Sequence, residues 1–314
     1  MSTKRAVTGA TASAPKRRKT IPMFSTTHCI NRVPEMVWQY EIISYLDFTQ
    51  FSNLRCHSTF NDYWLQMRAK NIIRVPQECH TVQQAMKLAM FFNTAGNTLR
   101  IVLEKGIHEI VGNYKRLTVT YSHITFVGKG KDQTTIHGGF EVHNQQNVKF
   151  EELAVMNQSW HGLMLVGSNT TVNVLKCAVK ECMGAGMWVS IGATVTATQC
   201  EFMENGEHGV FCDANTKARL NDCQMHHNGG HGLWADGRTV VDLHGTKTDI
   251  HSNKSHGILA FYDAKVNIHL PSQHNTTHDN NDEDRYQVRG GSIANINADG
   301  TFTHVEEVEL DDDY

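Results

Sequence analysis

Asp213 and Asp236 stand 23 residues apart, each two places after an aromatic residue, Phe211 and Trp234. Two carboxylates held ~5 Å apart could serve as general acid and nucleophile, the short separation of retaining glycoside hydrolases. The same pair could instead hold Ca²⁺, which takes several oxygen ligands. Histidine is the residue in excess, with 19 copies. Four of them, His161, His208, His231 and His256, each precede a glycine and an aliphatic residue. A metal site needs ligands that converge on one point, whereas one histidine per repeat forms a column. These imidazoles are expected to fill turns, bonded to backbone and to each other. Charging them below pH ~6.5 would line up like charges, so stability should fall as pH drops through that range. Cys177, Cys200 and Cys223 recur at the same interval. With no CxxC pair in the chain they read as small, inert core residues rather than a zinc or redox site. No metal and no cofactor is implied.

What must position these residues is an internal repeat. The glycines Gly162, Gly186, Gly209, Gly232 and Gly257 are spaced 24, 23, 23 and 25 residues apart. Nine residues before each stands Leu153, Cys177, Cys200, Cys223 or Thr248, and two places further on Val155, Val179, Phe202, Met225 or Ile250. Three later come Gln158, Cys182, Asn205, Asn228 and Asn253. Every offset inside the unit is constant, so the length variation is confined to one connection. A unit of this size cannot bury its own apolar face and must stack on its neighbours. Its apolar residues alternate with period two and are rich in β-branched types, which excludes a helical repeat. The reading is mainly β, a parallel β-helix of ~23-residue coils spaced ~4.8 Å apart. The cysteines then form an inward ladder, and Asn205, Asn228 and Asn253 an amide ladder at a turn. The pattern starts earlier in degenerate form: Phe140 and Val142 precede Leu163 and Leu165 by 23. Leu99–Leu103, Leu117–Val119 and Ile124–Gly128 read as strands, and Tyr286, Val288, Ile293 and Ile296 alternate once more. Thr81–Phe91 reads as an amphipathic helix with Val82, Ala85, Met86 and Ala89 on one face. Its place suggests a cap on the first coil, whose edge would otherwise be sticky.

Composition removes whole classes of function. The chain has 314 residues, a formal net charge of −3 and 40% apolar content. Length alone allows about two domains of ~150 residues. No apolar run approaches the ~18 residues of a membrane helix. The first 20 residues are basic and polar, which argues against a secretory leader. A soluble, intracellular, reduced protein is the expectation. The near-neutral total hides seven Lys/Arg and no acid in residues 1–34, and six acids and no base in residues 306–314. We read 1–32 as a disordered basic arm, with Pro15–Lys19 as a nuclear-import patch that leaves nuclear or cytoplasmic residence open. Four clustered bases without aromatics are a weak nucleic-acid signal. Residues 306–314 read as a solvated acidic tail.

Residues 33–70 carry apolar residues at helical spacing, too few to fold comfortably alone. Val33-Pro34-Glu35-Met36, Ile42-Ile43-Ser44-Tyr45-Leu46-Asp47, Asn53-Leu54-Arg55-Cys56 and Phe60-Asn61-Asp62-Tyr63-Trp64 resemble an F-box. Val33 stands where that family usually has Leu, and Phe51-Ser52-Asn53 where more Leu is usual. The resemblance implies docking to a Skp1-type adaptor of a cullin ubiquitin ligase through Val33, Pro34, Ile42, Leu46 and Leu54. Residues 71–305, by the order of their elements, resemble the right-handed parallel β-helix, pectin-lyase-like superfamily. F-box proteins with a β-helix of the carbohydrate-binding and sugar-hydrolase type are the nearest whole-chain likeness.

Parity along the strand after each His-Gly supplies the candidate site. If Leu163, Met187, Val210, Leu233 and Ile258 face inward, then Met164, Trp188, Phe211, Trp234 and Leu259 face outward. So do Val166, Ser190, Asp213, Asp236 and Phe261, since two stacked aspartates would not share a dry core. An exposed aromatic stripe usually contacts something: a protein, a sugar ring, or the chain's own helices. The expectation is a substrate-recognition subunit of a Skp1-cullin-F-box ligase. Its β-helix would bind an unknown protein substrate through Trp188, Phe211, Asp213, Trp234 and Asp236, without catalysis of its own. The alternative is a carbohydrate-binding or carbohydrate-active β-helix, with Asp213 and Asp236 catalytic and Arg238, His208 and His231 near them. A third reading is a structural repeat scaffold.

Overall fold

In the computed structural model the described residues are 71–90, 92, 98–269 and 276–304. The basic arm, the F-box-like segment with Val33, Pro34, Ile42, Leu46 and Leu54, and the acidic tail lie outside them. Three sheets run the length of the stack. Sheet I has eleven strands, from Ile72–Val75 to Phe302–His304. Sheet II has eight, from Arg116–Val119 to Arg285–Val288, and sheet III eight, from Gly106–Glu109 to Thr276–His278. Each coil contributes one strand to each sheet. All pairings are parallel except the last, where Phe302–His304 turns back antiparallel on Ser292–Ile296. The expected register holds: Leu163 pairs with Phe140 and Met187, and Val210 with Leu233.

Alternation makes the core. In Thr171–Leu175 only Val172 and Val174 are buried, and in Lys217–Asn221 only Ala218 and Leu220. Phe126, Phe140 and Phe150 meet at 4.8–5.3 Å between ring centres in the interior. Each such side chain contributes roughly 1.5–3 kcal/mol on burial. Cys177, Cys200 and Cys223 face inward, buried and unbridged, as the repeat implied. Burial pushes the Cys177 thiol up, and Cys182 to about 12, while Cys223 is raised by its bond with Cys200 and then by burial. They behave as small core residues.

Corners are turned by single residues in the left-handed region. Lys176, Gln199 and Asp222 take φ of 50–54° between sheets I and III, and Glu204, His227 and Ser252 φ of 54–56° between sheets III and II. Each costs of order 1 kcal/mol for a residue with a Cβ. The amide ladder offsets that cost at the second corner. The backbone N–H groups of Asn205, Asn228 and Asn253 donate to the next asparagine's Oδ1 at 3.1–3.2 Å. Their Nδ2 groups donate to the same oxygens at 2.9–3.0 Å. The ladder runs one coil further than the repeat suggested, to Asn280, whose Nδ2 donates to Asp284 at 2.8 Å. The repeat glycine is required just beyond. A Cβ on Gly209 would lie 2.7 Å from the Gly232 carbonyl oxygen and 2.9 Å from Asn228 Nδ2.

At the first coil, helix α1 spans Val82–Ala89, shorter than the pattern Thr81–Phe91. Thr81 is its N-cap, in a reciprocal box with Gln84 that ends the helix at that residue. Val82, Ala85, Met86 and Ala89 are buried as expected, and Leu88 with them. The helix packs on Ile72–Val75 and Leu99–Leu103, the first two strands of sheet I.

Candidate functional site

The outer wall of sheet II gathers the residues that sequence parity turned outward. Leu163, Leu165, Met187, Val189, Val210, Cys212, Leu233 and Ala235 are all fully buried beneath it. Met164, Trp188, Phe211 and Trp234 are half-buried above it, while Leu259 and Ser190 are buried rather than exposed. Those two belong to the outward columns but are covered by their neighbours. Trp188 and Phe211 lie nearly parallel at 6.2 Å, and Phe211 and Trp234 meet at 4.6 Å. The rings therefore stack on one another along the helix axis and turn their edges to solvent. Ring faces open to a flat sugar, as the exposed stripe suggested, are not what the wall presents.

A carboxylate column flanks the rings. Asp236 N–H donates to the Cys212 carbonyl, and Asp213 N–H to Val189, so the parallel ladder carries on through both aspartates. Their backbones are thus one coil, ~4.8 Å, apart. Trp188 Nε1 donates to Asp213 Oδ2 at 3.1 Å, which fixes that carboxylate across the coil boundary. Asp213 Oδ1 and Trp234 Nε1 are buried atoms with no partner among the described residues. Burial raises the Asp236 carboxyl above the usual aspartate range; the Gly237 N–H opposes this and the charge of Asp213 adds to it. Arg238, expected beside this pair, reaches Asp263 at 3.9 Å instead. It lies past the end of the strand, where Gly237 and Arg238 both turn left-handed and carry the side chain off the wall.

A histidine column runs on the other flank. His208 and His231 stack at 5.0 Å, His231 and His256 at 5.2 Å, each pair within 7° of parallel. Nδ1 of His161, His208 and His231 accepts the backbone N–H of Ala185, His231 and His256 at 2.9, 3.1 and 3.2 Å. An accepting Nδ1 leaves the proton on Nε2, so these rings are neutral Nε2–H donors. Burial pulls His208 down to about 4 and His231 to about 3, and the neighbouring imidazoles push the same way. His161 is lowered too, mainly by burial. His256 ends the column against Tyr286, at 4.6 Å, with Nδ1 2.9 Å from Glu283 Oε2.

A scan against family models matches residues 138–304 to the right handed beta helix region. The chain belongs to the right-handed beta-helix family. Among solved structures it is similar to pectin methylesterase PemA from Erwinia chrysanthemi, with 11% identity and a TM-score of 0.47 over 74% of this chain and 84% of that one. It is similar also to the mannuronan C-5 epimerase A-module from Azotobacter vinelandii, with 15% identity and a TM-score of 0.39 over 70% of this chain and 79% of that one. A third is ORF18 of Geobacillus virus E2, with 12% identity and a TM-score of 0.45; the chain spans 64% of that protein's length with 78% of its own. A search of the curated proteins found no match.

Within this right-handed β-helix, Trp188, Phe211, Asp213, Trp234 and Asp236 thus come together on one wall, with His208 and His231 beside the rings. Two features of the wall escaped the sequence. One is the indole–carboxylate bond from Trp188 to Asp213, which joins two columns across a coil boundary. The other is the stacking direction of the rings, which depends on side-chain rotamers and not on parity.

Proposed function

We propose that the outer wall of sheet II binds a carbohydrate chain, of neutral, hydroxyl-rich type, laid along the helix axis. One observation carries this reading: three columns of different chemistry run side by side with the same repeat. The Nε2–H groups of His161, His208 and His231 donate, the edges of Trp188, Phe211 and Trp234 are apolar, and Asp213 and Asp236 accept. A pyranose ring offers both hydroxyls and C–H groups, so one unit can meet donor, apolar and acceptor columns at once. Asp213 Oδ1 is buried and unpartnered, which costs roughly 1–3 kcal/mol, and a ligand donor reaches it once the wall side chains covering it shift aside. Two neighbouring carboxylates repel a polyuronate, which favours neutral glycans. Binding of a panel of immobilised neutral and acidic oligosaccharides tests this, with Asp213→Asn and Trp234→Ala as controls.

Catalysis by the pair is the bolder form of the same reading. Asp236, raised by burial, would be the acid, and Asp213 the nucleophile. Hydrolysis that survives Asp213→Asn removes it.

A second reading rests on the F-box-like motif of residues 33–64, with the basic patch Pro15–Lys19 for nuclear entry. It makes this wall the substrate-binding face of a Skp1-cullin-F-box ligase subunit, taking a protein in place of a glycan. Recovery of a Skp1-type adaptor with the unmutated chain, and its loss in Pro34→Ala/Leu46→Ala, supports it; failure to recover the adaptor removes it.

A further inference from the structure

Sheet I carries a second cluster, away from the wall of sheet II. The strands Val240–His244 and Lys265–His269 are parallel neighbours, with Asp242 opposite Asn267 and Leu243 opposite Ile268. His244 and His269 follow in the same register, and their rings stack at 4.0 Å, within 12° of parallel. Asp242 lies two residues before His244 and so projects from the same outer face. Its Oδ1 accepts from Asn267 Nδ2 at 2.9 Å and sits 3.0 Å from His269 Nε2. One donor atom from each of Asp242, His244 and His269 lies within 4.8 Å of the other two. All three side chains are partly exposed, so a solvated ion can reach them.

We propose that Asp242, His244 and His269 form a binding site for a borderline divalent cation of the Zn²⁺ type. Two imidazoles and one carboxylate suit Zn²⁺ or Co²⁺ and not Ca²⁺ or Mg²⁺, which take oxygen ligands. Bond lengths of about 2.0–2.2 Å to nitrogen and oxygen require the donors to draw together and the two stacked rings to turn out of parallel, since a bound ion lies in the plane of each imidazole; side-chain rotations of these partly exposed residues supply this. The fourth position is left to water. Asn267 Nδ2 donates to that same Oδ1 and orients the carboxylate, the role of a partner to a metal ligand. The coil above adds only Ala294 and Ile296 in these columns. The coil below adds Asn221 and Arg219, and Arg219 Nε is bonded to Asn221 Oδ1 at 3.2 Å. Arg219 is thus the one cation within the two columns of the cluster, and Lys217 and Lys265 stand in the next outward column, on either side of Val240. The site owes nothing to the carbohydrate reading of sheet II.

The test is titration of the full chain with Co²⁺, followed by its displacement with Zn²⁺. The expected result is a saturable visible absorption band at one equivalent, abolished in His244→Ala/His269→Ala and in Asp242→Asn. Asn267→Ala should weaken binding by about 10–100-fold. Melting curves of the variants without metal report that each is folded, and Asp242→Asn, the mildest change, decides the matter if the double variant is not. No saturable band in the unmutated chain overturns the proposal. So does a band of unchanged strength in Asp242→Asn, which would place the ion at other histidines such as the stacked column His226, His251 and His278.

Discussion

Acidifying the protein from pH 7.5 to 5.5 should cost it stability through His208 and His231. Both rings are held neutral in the fold, with values of about 4 and 3 against an ordinary 6.5. The unfolded chain takes up a proton near pH 6.5 and the folded one refuses it. Stability is therefore complete above pH 6.5 and is lost progressively as pH falls from there toward 4. One proton refused over one pH unit is worth about 1.4 kcal/mol. Two rings give about 2.7 kcal/mol at pH 5.5, and partial exposure reduces this to about 2. That corresponds to a fall of about 4–8 °C in melting temperature for a body of this size. His278, raised by its bond to Asp279, works in the opposite direction. The clean readout is therefore the difference between the unmutated chain and His208→Gln/His231→Gln, in which the amide oxygen can still accept the backbone N–H. The slope between pH 7.5 and 5.5 should flatten in the variant. A melting temperature already flat in the unmutated chain, or an equal slope in both, refutes the neutral-column account.

Other substitutions probe the frame that holds the wall. Asn228→Ala strands the buried Asn205 N–H and side chain that now meet Asn228 Oδ1 at 3.2 and 3.0 Å, and should lower urea stability by about 3 kcal/mol. Gly209→Ala places a methyl group 2.7 Å from a backbone oxygen that cannot withdraw; a loss of at least about 2 kcal/mol is expected in the same assay. The buried thiols of Cys79, Cys177, Cys182, Cys200, Cys212 and Cys223 should resist a thiol reagent in the folded protein and react on denaturation. Rapid labelling of Cys200 in native buffer would contradict the packed ladder.

The stack was legible because its constraint is repetitive. A glycine that must let Asn228 and the next coil approach within 3 Å leaves the same mark in every unit, and the asparagine of the amide ladder recurs in three of the five, at Asn205, Asn228 and Asn253. The last rung, Asn280, was hidden because 27 residues rather than 23 separate it from Asn253. Parity placed Asp213 and Asp236 on the outer wall, yet it could not show that the rings would stack on each other. That outcome follows from a coil spacing of ~4.8 Å, within the roughly 4.5–7 Å that separates the centres of two aromatic rings in offset contact. Alternation alone sets Arg238 beside the aspartates, but a left-handed turn at Gly237 and Arg238, silent in that pattern, intervenes. The Asp242, His244 and His269 cluster is hidden in the sequence because Thr246, not an aliphatic residue, follows His244-Gly245, and no glycine follows His269, so neither histidine fits the His-Gly-aliphatic repeat.

The central claim is that the wall of sheet II recognises a carbohydrate chain. Binding of the full chain to an immobilised panel of neutral and acidic oligosaccharides tests it most directly. Comparison is with Trp234→Ala, Asp213→Asn/Asp236→Asn, and Lys180→Ala on sheet III as a remote control. The account predicts saturable binding to a neutral glycan, weakened at least about tenfold, or 1.4 kcal/mol, by each wall variant and unchanged by Lys180→Ala. Absence of binding to every glycan, or binding that the wall variants leave intact, would contradict it.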